Sequence, residues 1–100
     1  MLNQISSKEL AKAVEKKGFT LESESNDKFY RLYYRGRKTG VFTKVSHGQM
    51  TYSRNNGMLG AVRRQLQLRT NMELSDFLEC PLSYEDYIRI LLERNIIGNE

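Results

Sequence analysis

The chain has one histidine, His47, in the stretch Thr43-Lys44-Val45-Ser46-His47-Gly48, and sixteen lysines and arginines. Imidazole changes charge near neutral pH, so His47 is the ordinary candidate for moving a proton. The other route to a neutral-pH base is a lysine depressed by neighbouring cations, and Lys28 heads a segment of that kind. Residues 28 to 69 carry Lys28, Arg31, Arg35, Arg37, Lys38, Lys44, Arg54, Arg63, Arg64 and Arg69 with no Asp or Glu, whereas the blocks on either side are net acidic. A run without carboxylates cannot neutralise itself locally, so it projects a positive field that attracts a polyanion, nucleic acid before all others. The competing reading is that acidic groups from both ends fold over the segment and screen it. RNA cleavage could use either His47 or such a lysine; it would need a base for the 2′-hydroxyl, an acid for the leaving oxygen and cations for the phosphorane, and Arg and Lys around the hairpin could supply the last of these.

Other chemistries find little support. One His and one Cys far apart in sequence have no metal-ligand spacing, so no metal is expected. No glycine-rich phosphate loop of the P-loop or dinucleotide type occurs, and no cofactor is expected. No apolar run approaches the roughly 18 residues of a membrane span. Nothing near Met1 reads as a signal peptide, and the single Cys80 reads as a packing residue, which together lead us to expect a reducing cytoplasm. A length of 100 residues suits a single domain with one core.

The elements that must position these groups are legible in outline. Ser6 with Glu9 forms a capping box for a helix that places Leu10, Ala13, Val14 and Lys17 on one face, and Gly18 ends it. A first strand follows from Phe19 to Glu24, with Phe19 and Leu21 inward. Residues 28–47 then form a hairpin hinged near Arg35-Gly36-Arg37. Tyr30, Leu32 and Tyr34 share one side of its first arm with Val41, Thr43, Val45 and His47 of the second, the predicted core face. The opposite side mixes Phe29, Arg31, Tyr33, Phe42 and Lys44. Such a surface could stack on bases while neutralising phosphate, or could be ordinary cross-strand pairing, and the sequence leaves both open. The stretch 47–57 reads as a loop. A second helix runs to Leu68 with Arg63 and Arg64 on an exposed basic face. Thr70 with Glu73, and Ser83, begin two more helices whose apolar stripes include Leu74, Phe77, Tyr84, Tyr87, Ile88 and Leu91. The expected fold class is α+β: helix, three-stranded antiparallel sheet, helix, plus two C-terminal helices.

The initial helix "KELAKAVEKKGF", the three strands, the histidine-containing "TKVSHG" at a strand end and the basic second helix together resemble the HicA family, the mRNA-interferase toxins of toxin-antitoxin systems. The resemblance covers residues 6–68 and leaves 70–97 as a helical extension. It implies a fold like that of double-stranded-RNA-binding domains, metal-independent endoribonuclease activity, RNA as partner and an antitoxin-like protein as a second one. One departure stands out. The family's catalytic histidine lies in a Gly-Ser-His type motif at the start of the second strand, which here reads "SNDKFY", with Lys28 at the aligned position. "TKVSHG" instead matches the family's end-of-strand "VPHP" region.

Lys28 and His47 are therefore the candidate catalytic residues of an altered or lost active site, with His47 expected to serve as a strand-end structural or RNA-contact residue. Lys28, Arg31, Arg35, Arg37, Lys38, Lys44, Arg63 and Arg64 are the expected RNA-binding set. The alternatives are a non-catalytic nucleic-acid-binding module and a protein-interaction domain.

Overall fold

The computed structural model describes residues 3–79 and 81–98, in the order β1 (Gln4–Ser6), α1 (Ser7–Lys16), β2 (Phe19–Glu24), β3 (Asp27–Tyr34), β4 (Arg37–Ser46), β5 (Thr51–Ser53), α2 (Met58–Gln65), α3 (Asn71–Glu79) and α4 (Tyr84–Glu93). The fold class is α+β, with β2, β3 and β4 in one antiparallel sheet and four helices. The reading of Cys80 as a packing residue falls outside the described residues.

α1 begins as its sequence dictates. The Ser6 hydroxyl accepts from the Glu9 backbone N–H at 3.2 Å while the Glu9 carboxylate accepts from the Ser6 N–H at 3.4 Å, so two donors at the helix start are satisfied reciprocally. Leu10 and Val14 are completely buried. Lys17 keeps its ammonium 5.6 Å from the centre of the Phe77 ring although the residue is only 3% exposed, its stem covering apolar surface. Gly18, at φ +88°, ends the helix in the left-handed region, and a Cβ there would collide with the Tyr84 ring. The site requires glycine twice over, once for conformation and once for the close approach of α4.

The β3–β4 hairpin turns on Arg35 (φ 54°) and Gly36 (φ 75°), between the paired residues Tyr34 and Arg37. Positive φ at both central positions is the conformation whose twist matches a two-residue hairpin. Tyr30, Leu32, Val41, Thr43 and Val45 are buried on the helix-covered face, as alternation predicts. Opposite Leu32 the ladder is irregular, and the Thr39 hydroxyl stands in for it by donating to the Leu32 carbonyl at 2.9 Å and accepting from the Val41 N–H at 3.1 Å. Leu21 departs from expectation. It pairs with Tyr30 but remains 40% exposed, because it lies on the edge strand with a neighbour on one side only and the register shifts immediately after it.

The stretch expected to be a loop contains β5, which pairs with β1 as a second, two-stranded sheet with Ile5 opposite Tyr52. Both residues are buried. Three-residue strands carry too little alternation to be read from sequence. The Tyr52 hydroxyl accepts from the Ser46 N–H at 2.9 Å, tying β5 to the end of β4. Asn56 then shapes the entry to α2, its Oδ1 accepting from Ser53 and Met58 and its Nδ2 donating to the Thr51 carbonyl.

α2 ends at Gln65, earlier than expected, since Gln67 adopts φ 64°. Leu66 and Leu68 beyond it are buried. At the start of α3 only half of the expected capping box forms. Thr70 accepts from the Glu73 N–H at 3.1 Å, but the Glu73 carboxylate accepts from the Arg69 N–H at 2.8 Å and from the Arg94 guanidinium. α3 and α4 share the core with the sheet. Phe77 and Tyr87 meet edge-on at 4.8 Å between centroids, and both contact the ring of Phe19. The wholly buried Tyr87 donates to the Leu66 carbonyl at 2.7 Å, and Tyr84 donates to the Tyr33 carbonyl at 3.1 Å.

Candidate nucleic-acid interface

His47 is positioned by the N-terminus of α1. Ser7, at its first turn, donates its hydroxyl to the Gly48 carbonyl at 2.6 Å and its backbone N–H to the Met50 carbonyl at 2.8 Å. These two bonds pin residues 48–50 against α1, so His47 leaves β4 directly beside the helix. Lys28 reaches the same place from β3. Its cross-strand partner is Val45, two residues before His47, so Lys28 and His47 lie at the same end of the hairpin.

The space between is a cleft of about 430 Å³, walled by Ser7, Lys8, Ala11, Lys12 and Glu15 of α1 and by Lys28, Tyr30, Val45, Ser46, His47, Gly48 and Gln49 opposite. Both catalytic candidates therefore share one site. The cleft also holds two lysines outside the basic segment, Lys8 and Lys12, one helical turn apart on the exposed side of α1. The side chains of Lys8, Lys12, Lys28 and His47 make no hydrogen bond or ion pair to the described residues. Three lysines and a histidine therefore line one concavity without described protein partners, an arrangement that focuses positive potential on whatever enters.

Among the described residues Glu15 is the one carboxylate lining the cleft. The Tyr30 hydroxyl, at the end of an otherwise buried ring, donates to Glu15 Oε2 at 3.4 Å. Burial, together with the nearby negative charges of Glu15 and Glu24, raises the Tyr30 pKa above the ordinary phenol value, so the hydroxyl keeps its proton and remains a donor. The His47 ring has no described hydrogen-bond partner to fix its tautomer or orientation.

The remaining cations divide. Arg31 is absorbed by the fold: its Nε lies 3.1 and 3.0 Å from the two Glu22 carboxylate oxygens, and its Nη1 donates to the Thr39 carbonyl at 2.9 Å. Its guanidinium also lies over the Phe29 and Phe42 rings, which stack on each other at 4.8 Å. The outer sheet face at these residues thus carries the cross-strand ring and guanidinium contacts of ordinary sheet pairing. Arg63, expected on an exposed face, is half-buried and donates to the carbonyls of Leu68 and Arg69 at 3.1 and 3.2 Å, closing the chain after α2. Arg35 lies over Tyr34 at the hairpin tip, 5.2 Å from the ring centre. Arg37, Lys38, Lys44 and Arg64 are exposed, with no described side-chain partner. Arg37 and Lys38 line a separate depression with Tyr34, Thr39, Gly40 and Ile96, far along the hairpin from His47. Of the eight residues expected from sequence, only Lys28 lines the cleft.

Sequence reasoning missed Lys8, Lys12, Glu15 and Tyr30. A signal was present in the i, i+4, i+7 spacing of Lys8, Lys12 and Glu15, but the net acidic charge of residues 1–27 hid it. Among the described residues no group of three or more His, Cys, Asp or Glu could hold a metal ion, and no helix is long and apolar enough to cross a membrane. No family model, no curated protein and no solved structure matches this chain.

Proposed function

We propose that this is a HicA-like RNA-binding protein that holds the phosphodiester backbone in the cleft between α1 and the ends of β3 and β4. The observation that carries the reading is the convergence of Lys8, Lys12, Lys28 and His47 on one concave site with no protein partners among the described residues. Cations left hydrated in a concavity are ready to exchange water and counterions for phosphate, the dominant favourable term in nucleic-acid binding. The succession of α1, the β2–β3–β4 sheet and α2, apart from the short β1–β5 pair, also supports the reading, since it parallels the order of a double-stranded-RNA-binding-domain-like fold.

Within this reading the cleft has the parts of a metal-independent nuclease but lacks their alignment. His47 is the imidazole that could take the 2′-hydroxyl proton, and Lys28 could stabilise the phosphorane. Because no described group orients His47, binding dominates and cleavage is slow. The test is incubation of the purified protein with single-stranded and hairpin RNA in a chelating buffer, following retention and cleavage in the same samples. Salt-sensitive retention with little or no cleavage is expected. Retention independent of salt would refute phosphate binding, and rapid cleavage abolished by His47→Ala with the fold intact would make His47 a working catalyst.

A further inference from the structure

Within the RNA-binding reading, on which this inference rests, the carboxylate in the cleft is the feature that phosphate binding does not explain. Glu15 faces the same space as Lys8, Lys12 and Lys28, yet it forms no ion pair with any of them. Its described side-chain partner is the Tyr30 hydroxyl, at the end of a ring that is 2% exposed and therefore fixed in position. A carboxylate at a phosphate site repels the ligand unless some part of the ligand donates a hydrogen bond to it.

We infer that Glu15, steadied by Tyr30, accepts a hydrogen bond from the ribose 2′-hydroxyl and thereby makes the cleft prefer RNA to DNA. The geometry favours the sugar. Lys12 and Glu15 are three residues apart on α1, about 4.5 Å along its axis, so a phosphate held by Lys12 puts its own ribose next to Glu15. The 2′-hydroxyl is the donor by which a protein tells RNA from DNA at such a place, and DNA would leave the carboxylate facing a carbon. Tyr30 acts as a positioning residue. It spends its single proton on Glu15 Oε2, so the exposed carboxylate keeps acceptor capacity for a ligand donor.

The test measures the affinities of the full chain for one mixed-sequence RNA strand and for its 2′-deoxy counterpart of identical bases, by fluorescence anisotropy at a single salt concentration. The wild-type protein is expected to prefer RNA. Glu15→Ala should weaken RNA binding and strengthen DNA binding, so that the ratio of the two affinities falls by about tenfold. Tyr30→Phe, which keeps the buried ring, should move the ratio in the same direction by less. Lys12→Ala should weaken both ligands alike. If Glu15→Ala strengthened RNA and DNA by the same factor, the carboxylate would be a repulsive charge only, and the inference would fail while RNA binding stood. If the wild-type protein bound the deoxy strand as tightly as the RNA strand, the ribose assignment would be overturned while binding in the cleft stood. If the wild-type protein bound neither strand, the inference and the reading beneath it would fall together.

Discussion

On the outer face of the β2–β3–β4 sheet, Arg31 is held by Glu22, by the Thr39 carbonyl and by the stacked rings of Phe29 and Phe42. On the helix-covered face, at the open end where β3 and β4 meet α1, Lys28 shares a cleft with Lys8, Lys12 and His47 and none of the four has a described side-chain partner. Both regions include residues of the β3–β4 hairpin and both mix cations with aromatics, so composition does not separate them. The difference lies in how each charge is satisfied. A guanidinium already bonded to a carboxylate and a carbonyl would have to break those bonds to bind phosphate, whereas a hydrated ammonium exchanges one set of waters for another. The outer face accordingly commits its charge to stability, whereas the cleft keeps the hydrated cations that the proposed RNA binding would use.

The largest effect should come from reversing charge in the cleft. Lys12→Glu combined with Lys28→Glu is expected to weaken RNA binding at least about a hundredfold at low salt and to reduce the salt slope by about 0.7 for each single-strand phosphate that the protein no longer neutralises. Arg31→Ala should leave affinity within about threefold of the wild type. Equal losses of affinity in the two variants would erase the distinction between the faces and return the outer sheet to the binding surface.

A smaller effect of opposite pattern is expected in stability. Phe42→Ala removes one ring of the stacked pair and should cost about 1–2 kcal/mol, and Arg31→Ala about 1 kcal/mol, in urea unfolding. Lys28→Ala should stay within about 0.5 kcal/mol of the parent, because a solvated surface cation contributes little to folding. A strongly destabilised Lys28→Ala variant would mean that the cleft lysine is structural after all.

The smallest effect sharpens the comparison at a second satisfied cation, Arg94, bonded to Glu73 between α3 and α4. Its guanidinium, with the backbone N–H groups of Arg69 and Thr70's capping turn, lowers the Glu73 pKa below the ordinary carboxylate value. A depressed folded-state pKa stabilises the protein above the unfolded pKa, and that contribution is lost as pH falls through the folded value. Glu73→Gln should therefore lower the melting temperature near neutral pH and converge with the wild type in acid. A gap that stayed constant from neutral pH to strongly acid conditions would show that the pair has no titrating role. RNA binding in the cleft should not change with this substitution.

What the sequence determined by itself is local. The Ser6–Glu9 capping box, the stop at Gly18, the alternation that buries Leu32, Val41 and Val45, the hairpin hinge at Arg35-Gly36 and the apolar stripe of α4 all follow from neighbours a few residues apart, where a short-range rule is enough. The α+β class follows from their order. Tertiary structure decided which cations are free, because the partners of Arg31 and Arg63 lie across a strand or beyond a helix end, at positions that a charge count cannot pair. It also created the cleft. Lys8 and Lys12 belong to a net acidic block, and they join Lys28 and His47 only because Ser7 pins residues 48–50, forty-one or more positions along the chain, and because β1 pairs with a β5 too short to show in sequence. A site assembled across that separation depends on the closing of the chain, which is a property of the packed core and of no single stretch within it.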